Sequence, residues 1–116
     1  MATKNLTTSE FQELAEGPGI TLVDFWASWC APCRMFAPVY EKVSEKHPDI
    51  TFAKVDTEAE QDLAIQFNIA AIPTLMAIRD GVIVYQQPGA MAERTLESLI
   101  AKVRELDMDE VRAAAS

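Results

Sequence analysis

Apolar positions along the chain follow two rhythms, one suited to buried strands and one to helices. Residues 21–27, TLVDFWA, are almost continuously apolar and rich in β-formers, the pattern of a strand covered on both faces, with Asp24 the one discordant residue. Over residues 31–46 the rhythm changes: Met35, Phe36, Val39, Tyr40 and Val43 recur at helical spacing, so a helix follows the strand almost at once. Pro48 disfavours helical geometry in the residue before it and ends this helix by His47, while Pro38 is expected to kink it. Ahead of the strand, Thr7 and Glu10 stand in capping-box spacing with Leu6 placed to staple onto Phe11, and Gly17, Pro18 and Gly19 close that first helix. Residues 50–55 read as a second strand. Thr57 and Glu60 offer a second capping box for a short helix through Phe67, which Asn68 can close in a left-handed conformation. Residues 74–79 and 82–85 flank Asp80-Gly81, a strong signal for a tight antiparallel hairpin. A last helix carries Leu96, Leu99, Ile100, Val103 and Leu106 on one face, with no Ser, Thr, Asp or Asn to cap it near Met91-Ala92-Glu93. Residues 107–116 are expected to fray or to extend that helix.

Parallel-type βα connections followed by a hairpin imply an α/β fold with a mixed central sheet covered by helices. With 116 residues, 49% of them hydrophobic, the chain fits one core and one domain. Its net charge of −8 opposes binding to nucleic acid or anionic membrane surfaces. Neither a signal-length apolar run at the N-terminus nor a twenty-residue apolar stretch is present, and the cytoplasm is the expected compartment.

The two cysteines narrow the chemistry. Two close cysteines exclude a disulfide scaffold, and a bridge between neighbours removes little unfolded-state entropy, so Cys30 and Cys33 are read as a reactive pair. Three residues apart at a helix start, their Cα atoms lie about 5 Å apart, within disulfide reach. Unpaired N–H groups and the helix dipole favour the Cys30 thiolate, while Cys33 lies one turn further in. Cys30 therefore attacks and Cys33 resolves the mixed disulfide. Pro32 suits the first helical turn, where its missing N–H costs nothing. A zinc site normally needs four ligands, and beyond the cysteines the chain offers one histidine, His47, which reads most simply as a helix-end cation. No metal is expected. A carboxylate inside an apolar strand is expensive unless neutralised or paired, which marks Asp24.

The run Trp29-Cys30-Ala31-Pro32-Cys33-Arg34, preceded by Val23-Asp24-Phe25-Trp26-Ala27 and followed by Ala37-Pro38, resembles the active-site region of the thioredoxin family. The resemblance covers about residues 5–106, leaving 107–116 as a C-terminal extension. It includes Ala53-Lys54-Val55-Asp56, Ile72-Pro73-Thr74-Leu75, Asp80-Gly81 and Gly89-Ala90 in family order. It implies the thioredoxin fold, with helices on both faces of the sheet, and a cis Ile72-Pro73 bond whose backbone guides an extended substrate segment. Asp24 would match the family's buried carboxylate, its pKa raised so that it takes the Cys33 proton, with Lys54 modulating that charge; the alternative is a structural Asp24–Lys54 polar pair. Trp29, Ala31, Pro32, Ile72, Pro73 and Gly89 would form the substrate-contacting rim, while Trp26 serves packing. Arg34 either tunes the local field or is simply solvated.

The implied activity is a general protein-disulfide reductase, monomeric and without a bound cofactor. Its reducing equivalents would come from NADPH through a flavin-dependent thioredoxin reductase. The alternative is an interaction module that holds partners by the apolar rim, with redox turnover secondary. Ala31 departs from the family's usual Gly and narrows backbone freedom at the motif. Asn68, where Gly is common, is a milder change because Asn tolerates left-handed geometry.

Overall fold

The computed structural model describes residues 2–115, the Ala115 side chain excepted. Its centre is β2 (Ile20–Trp26), whose inner residues are all buried. β2 pairs in parallel with β3 (Thr51–Asp56) on one side and antiparallel with β4 (Thr74–Arg79) on the other. A short β1 (Thr3–Asn5) joins β3, and β5 (Val82–Pro88) joins β4, giving the mixed order β1-β3-β2-β4-β5. β1 had no signature in the apolar pattern. Its pairing with β3 is parallel and distant in sequence, and its residues are polar and half-buried or exposed.

Alternation along β2 builds two cores. Leu22 faces α2 (Ala31–Lys46) and α4 (Glu93–Glu105), packing with Phe36, Tyr40, Val43, Phe52, Leu96 and Ile100. Val23 and Phe25 face the other way, onto α1 (Thr8–Glu16) and α3 (Gln61–Gln66), with Leu6, Phe11 and Leu63. Each such fully buried side chain is worth about 1.5–3 kcal/mol of transfer free energy, so β2 is anchored from both faces. The helix expected over 31–46 forms over that span and runs on through Pro38. Asp80 (φ 51°) and Gly81 (φ 83°) both take left-handed geometry, as a two-residue primed turn requires, and Asn68 (φ 54°) closes α3 in the same way.

Two local expectations are corrected. The Thr7–Glu10 capping box is present, but the one proposed for Thr57 and Glu60 is not. Thr57 Oγ1 donates instead to the Trp26 carbonyl (3.0 Å). The Glu60 carboxylate accepts from Thr8 N (3.0 Å) and Thr8 Oγ1 (3.1 Å), serving the start of α1 rather than α3. His47 stands at the end of α2 as expected and has partners there: its Nδ1 is 3.0 Å from Arg104 Nη2, and its Nε2 is 2.6 Å from Glu97 Oε1. These contacts bridge α2 to α4. Beyond α4 the chain neither frays nor continues. Leu106 turns extended (ψ 137°), and Asp107 Oδ1 accepts from the amides of Asp109 and Glu110 at the start of a separate helix, α5 (Met108–Ala115). Arg79 Nη1 holds this corner by donating to the carbonyls of Val103, Arg104 and Leu106. Ser116, the last residue of that expected end, lies outside the described residues.

Replacing Glu60 with Ala removes an acceptor from the first turn of α1. We expect a loss of about 1 kcal/mol in urea melts and faster hydrogen exchange at the Thr8 amide, with α3 unaffected.

Candidate active site

β2 ends at Trp26, and α2 starts five residues later at Ala31, so the connecting turn is held at both ends by buried elements. Cys30 is the N-cap of α2: its backbone is extended (φ −86°, ψ 112°) and its sulfur accepts from the Cys33 amide at 3.2 Å. Pro32 sits in the first turn. Cys30 and Cys33 are joined as a disulfide, with Cα atoms 5.2 Å apart. An amide aimed at Cys30 Sγ, together with the positive end of a 16-residue helix, favours the thiolate once the bridge opens. Arg34 is not merely solvated, since its Nη1 donates to the Ser28 carbonyl (2.9 Å) and ties down the turn.

Both cysteines are nearly covered in this oxidised form, Cys30 at 4% and Cys33 at 2% relative exposure, so burial alone scarcely separates them. Position does. Cys30 lines an open groove of about 530 Å³ together with Trp29, Ala31, Pro32 and Ile72, and Cys33 does not. Trp29 is 65% exposed beside it. Cys30 Sγ lies 3.6 Å from the Ile72 carbonyl across the groove, and the Ile72-Pro73 bond is cis. Pro73 itself is buried and does not line the groove. Its carbonyl accepts from Gly89 N (2.8 Å), which brings Gly89 (φ 112°, a conformation that favours glycine) to the same loop. The rest of the lining was missed from sequence: Thr57, Ile69, Ala70 and Ala71. The available signal was the apolar run Ile69-Ala70-Ala71-Ile72 directly after the helix-closing Asn68, where a loop would ordinarily turn polar.

Asp24, inside β2, is 1% exposed, and neither carboxylate oxygen meets a hydrogen-bond partner among the described residues. Lys54 is its register neighbour on β3, but the Lys54 ammonium sits over the Trp26 ring, 4.9 Å from its centroid. Burial pushes the Asp24 carboxyl up to about 7, with the Lys54 charge pulling weakly the other way. A pair dominated by attraction would move it below 3.8, so desolvation wins. Trp26, two residues further along the same face of β2, packs against the cluster of Ala27, Cys30 and Cys33.

A family model for thioredoxin matches residues 2–105. The chain belongs to the thioredoxin family. A putative thioredoxin 2 of Streptomyces coelicolor is 50% identical over 115 residues, covering 99% of this chain and 86% of its own. A thioredoxin of Alicyclobacillus acidocaldarius is 43% identical over 103 residues, 88% of this chain and 98% of its own. Among solved structures, a mutant thioredoxin from Halobacterium salinarum superposes with a TM-score of 0.82 at 32% identity, covering 90% of this chain and 93% of that one. The mixed five-stranded sheet is thus the thioredoxin fold, and the chain is a thiol-disulfide oxidoreductase. Among the described residues no group of three or more His, Cys, Asp or Glu is arranged to hold a metal, and no helix is long and apolar enough to cross a membrane.

Because Asp24 releases its proton at about 3.8 when its surroundings are removed but at about 7 when folded, the folded state holds the extra proton between those values. Stability therefore falls as pH rises from about 4 to 7 and levels off above. Asp24→Asn abolishes that slope. In urea melts of the oxidised protein, the variant's advantage should grow by roughly 2–4 kcal/mol between pH 4 and pH 8. An unchanged slope would place the titration elsewhere.

Proposed function

We propose that this protein-disulfide reductase works by a two-step exchange in which Cys30 is the nucleophile and Cys33 the resolving thiol. The observation that carries the reading is the difference in position between the two sulfurs: Cys30 lines the groove at the helix N-cap, and Cys33 lies behind it. The Cys30 thiolate attacks one sulfur of a substrate disulfide, forming a mixed disulfide and releasing the other sulfur as a thiol after protonation. Cys33, deprotonated, then attacks Cys30 Sγ. The second substrate sulfur leaves, the Cys30–Cys33 bridge forms, and two electrons have passed to the substrate.

Asp24 serves the second step as proton acceptor for Cys33, directly or through a water. A carboxyl titrating near 7 can exchange a proton with a thiol at neutral pH, and its place on β2 two residues before Trp26, which packs against the cysteine cluster, supports this role. Lys54 modulates the Asp24 charge from the neighbouring strand. Trp29, Ala31, Pro32 and Ile72 form the apolar wall against which a substrate segment lies. Pro73 and Gly89, joined by the Gly89 N–H to Pro73 carbonyl bond, shape the loop beside it, and the Ile72-Pro73 backbone guides an extended substrate segment. The bridge is returned to the dithiol by NADPH through a flavin-dependent thioredoxin reductase, in the cytoplasm, and the reductase and disulfide-containing proteins are its partners. The protein acts as a monomer without a bound cofactor, as a single thioredoxin domain over residues 1–116 with its core at about 5–106 and 107–116 as a C-terminal extension.

The test is insulin-disulfide reduction coupled to NADPH oxidation by a thioredoxin reductase. Cys30→Ser is expected to lose turnover completely, whereas Cys33→Ser should accumulate a mixed disulfide through Cys30. Trapping by Cys30→Ser would reverse the roles, and binding of partners without turnover by the parent would favour an interaction module. In rapid mixing, Asp24→Asn should slow mixed-disulfide decay by at least about tenfold while leaving the first attack within about twofold. Normal decay would remove Asp24 from the proton path.

A further inference from the structure

A second groove lies between β5 and α4 and shares no lining residue with the cysteine groove. Val84 and Tyr85 form one wall, and Met91, Leu99 and Leu106 form the other. Thr95, Ser98 and Lys102 recur every three or four residues along α4 and border it. The floor continues into the core, since Val84, Tyr85, Met91 and Leu99 are half-buried against the cluster around Leu96 and Val103.

From this site we propose that the β5–α4 groove binds a small amphipathic carboxylate, its hydrocarbon part against the Val84, Met91 and Leu99 wall and its carboxylate at Lys102. Three observations converge on that class. The volume, about 310 Å³, is at the low end for small-molecule sites and too small for a packed peptide helix. The lining is mostly apolar, yet Lys102 is its one charged side chain, on a molecule whose net charge of −8 leaves few cations unengaged. Most of the other basic side chains are already occupied: Lys42 and Lys46 by Glu93, Arg104 by Asp49, Arg79 and Arg112 by backbone carbonyls. Lys102 has no acidic or carbonyl partner among the described residues, and the Thr95 and Ser98 hydroxyls make no side-chain hydrogen bond there either. An ammonium with two hydroxyls on one helix face, above an apolar floor, recognises a carboxylate with a short hydrocarbon body.

The probe is sodium octanoate, titrated below its micelle concentration into the full-length oxidised protein and followed by amide chemical shifts. Saturable shifts are expected at Tyr85, Leu99 and residues around Lys102, with the cysteine loop unmoved. Lys102→Met should weaken binding about threefold to fivefold, and Lys102→Arg should restore it. 1-Octanol, with the same chain and no carboxylate, should bind less tightly than octanoate by a similar factor. Four results would overturn the assignment: shifts that never saturate, shifts centred on Trp29 and Ile72, equal affinity for octanoate and octanol, or an affinity indifferent to Lys102→Met. Shifts at the groove that follow protein concentration without octanoate would overturn it too, by giving the surface to a second copy of the chain.

Discussion

The two-sided burial of β2 is the constraint on which the rest of the molecule depends. It is the middle strand, hydrogen-bonded to β3 along one edge and β4 along the other, and its side chains fill a core on each face. A strand so placed cannot slip register, because a one-residue shift would exchange the residues of the two cores. Its end at Trp26 is therefore fixed, and with it the start of α2 and the location of Cys30. The same rigidity explains how a carboxyl survives at position 24. Leu22, Val23 and Phe25 around it each contribute about 1.5–3 kcal/mol on burial, which offsets a desolvation cost of a few kcal/mol for one acid.

Features governed by short-range chemistry were legible in the sequence. The Thr7–Glu10 box, the Asp80-Gly81 turn, the left-handed Asn68 and the helix from Ala31 to Lys46 each depend on residues a few positions apart. The cysteine pair belongs with them, as its reach follows from helix geometry alone. What escaped is long-range. β1 is defined by a partner nearly fifty residues away, and Glu60 leaves its own helix for Thr8, 52 positions distant, because an unsatisfied amide there competes better for the carboxylate. Thr57 looked like a cap until Trp26 offered its carbonyl. The groove lining at Ile69-Ala70-Ala71 is legible only once the loop is seen to face Cys30. Identity with relatives supplied what no local pattern could, namely that these separate signals belong to one fold.

Asp24 and Lys54 show why adjacency in a sheet is not pairing. In register they are direct neighbours on parallel strands, yet the ammonium settles over the Trp26 ring and both carboxylate oxygens remain unpartnered. A lysine stem is long enough to keep its charge near water while covering an aromatic face, and the cation–π contact, about 0.5–1 kcal/mol at a partly exposed site, adds to that gain. Drawing the ammonium inward to the acid would desolvate a second ion. The outcome leaves the acid titrating near 7, within the influence of a cation that solvent still reaches. For the proton-acceptor role proposed above, that poise suits better than a tight ion pair, which would hold the carboxylate ionised.

Ala31 gains its meaning from the same junction. It occupies the first helical position, so its methyl group meets no conformational penalty. Removing glycine freedom at a helical site is worth about 0.4–1 kcal/mol, chiefly by narrowing the unfolded ensemble. Here that narrowing acts between the two sulfurs, beside the amide that reaches from Cys33 to Cys30. The methyl also lies on the groove wall with Trp29 and Pro32, adding apolar surface where a substrate must dock. One side-chain carbon thus restricts the unfolded chain between the two sulfurs and enlarges the apolar face beside Cys30.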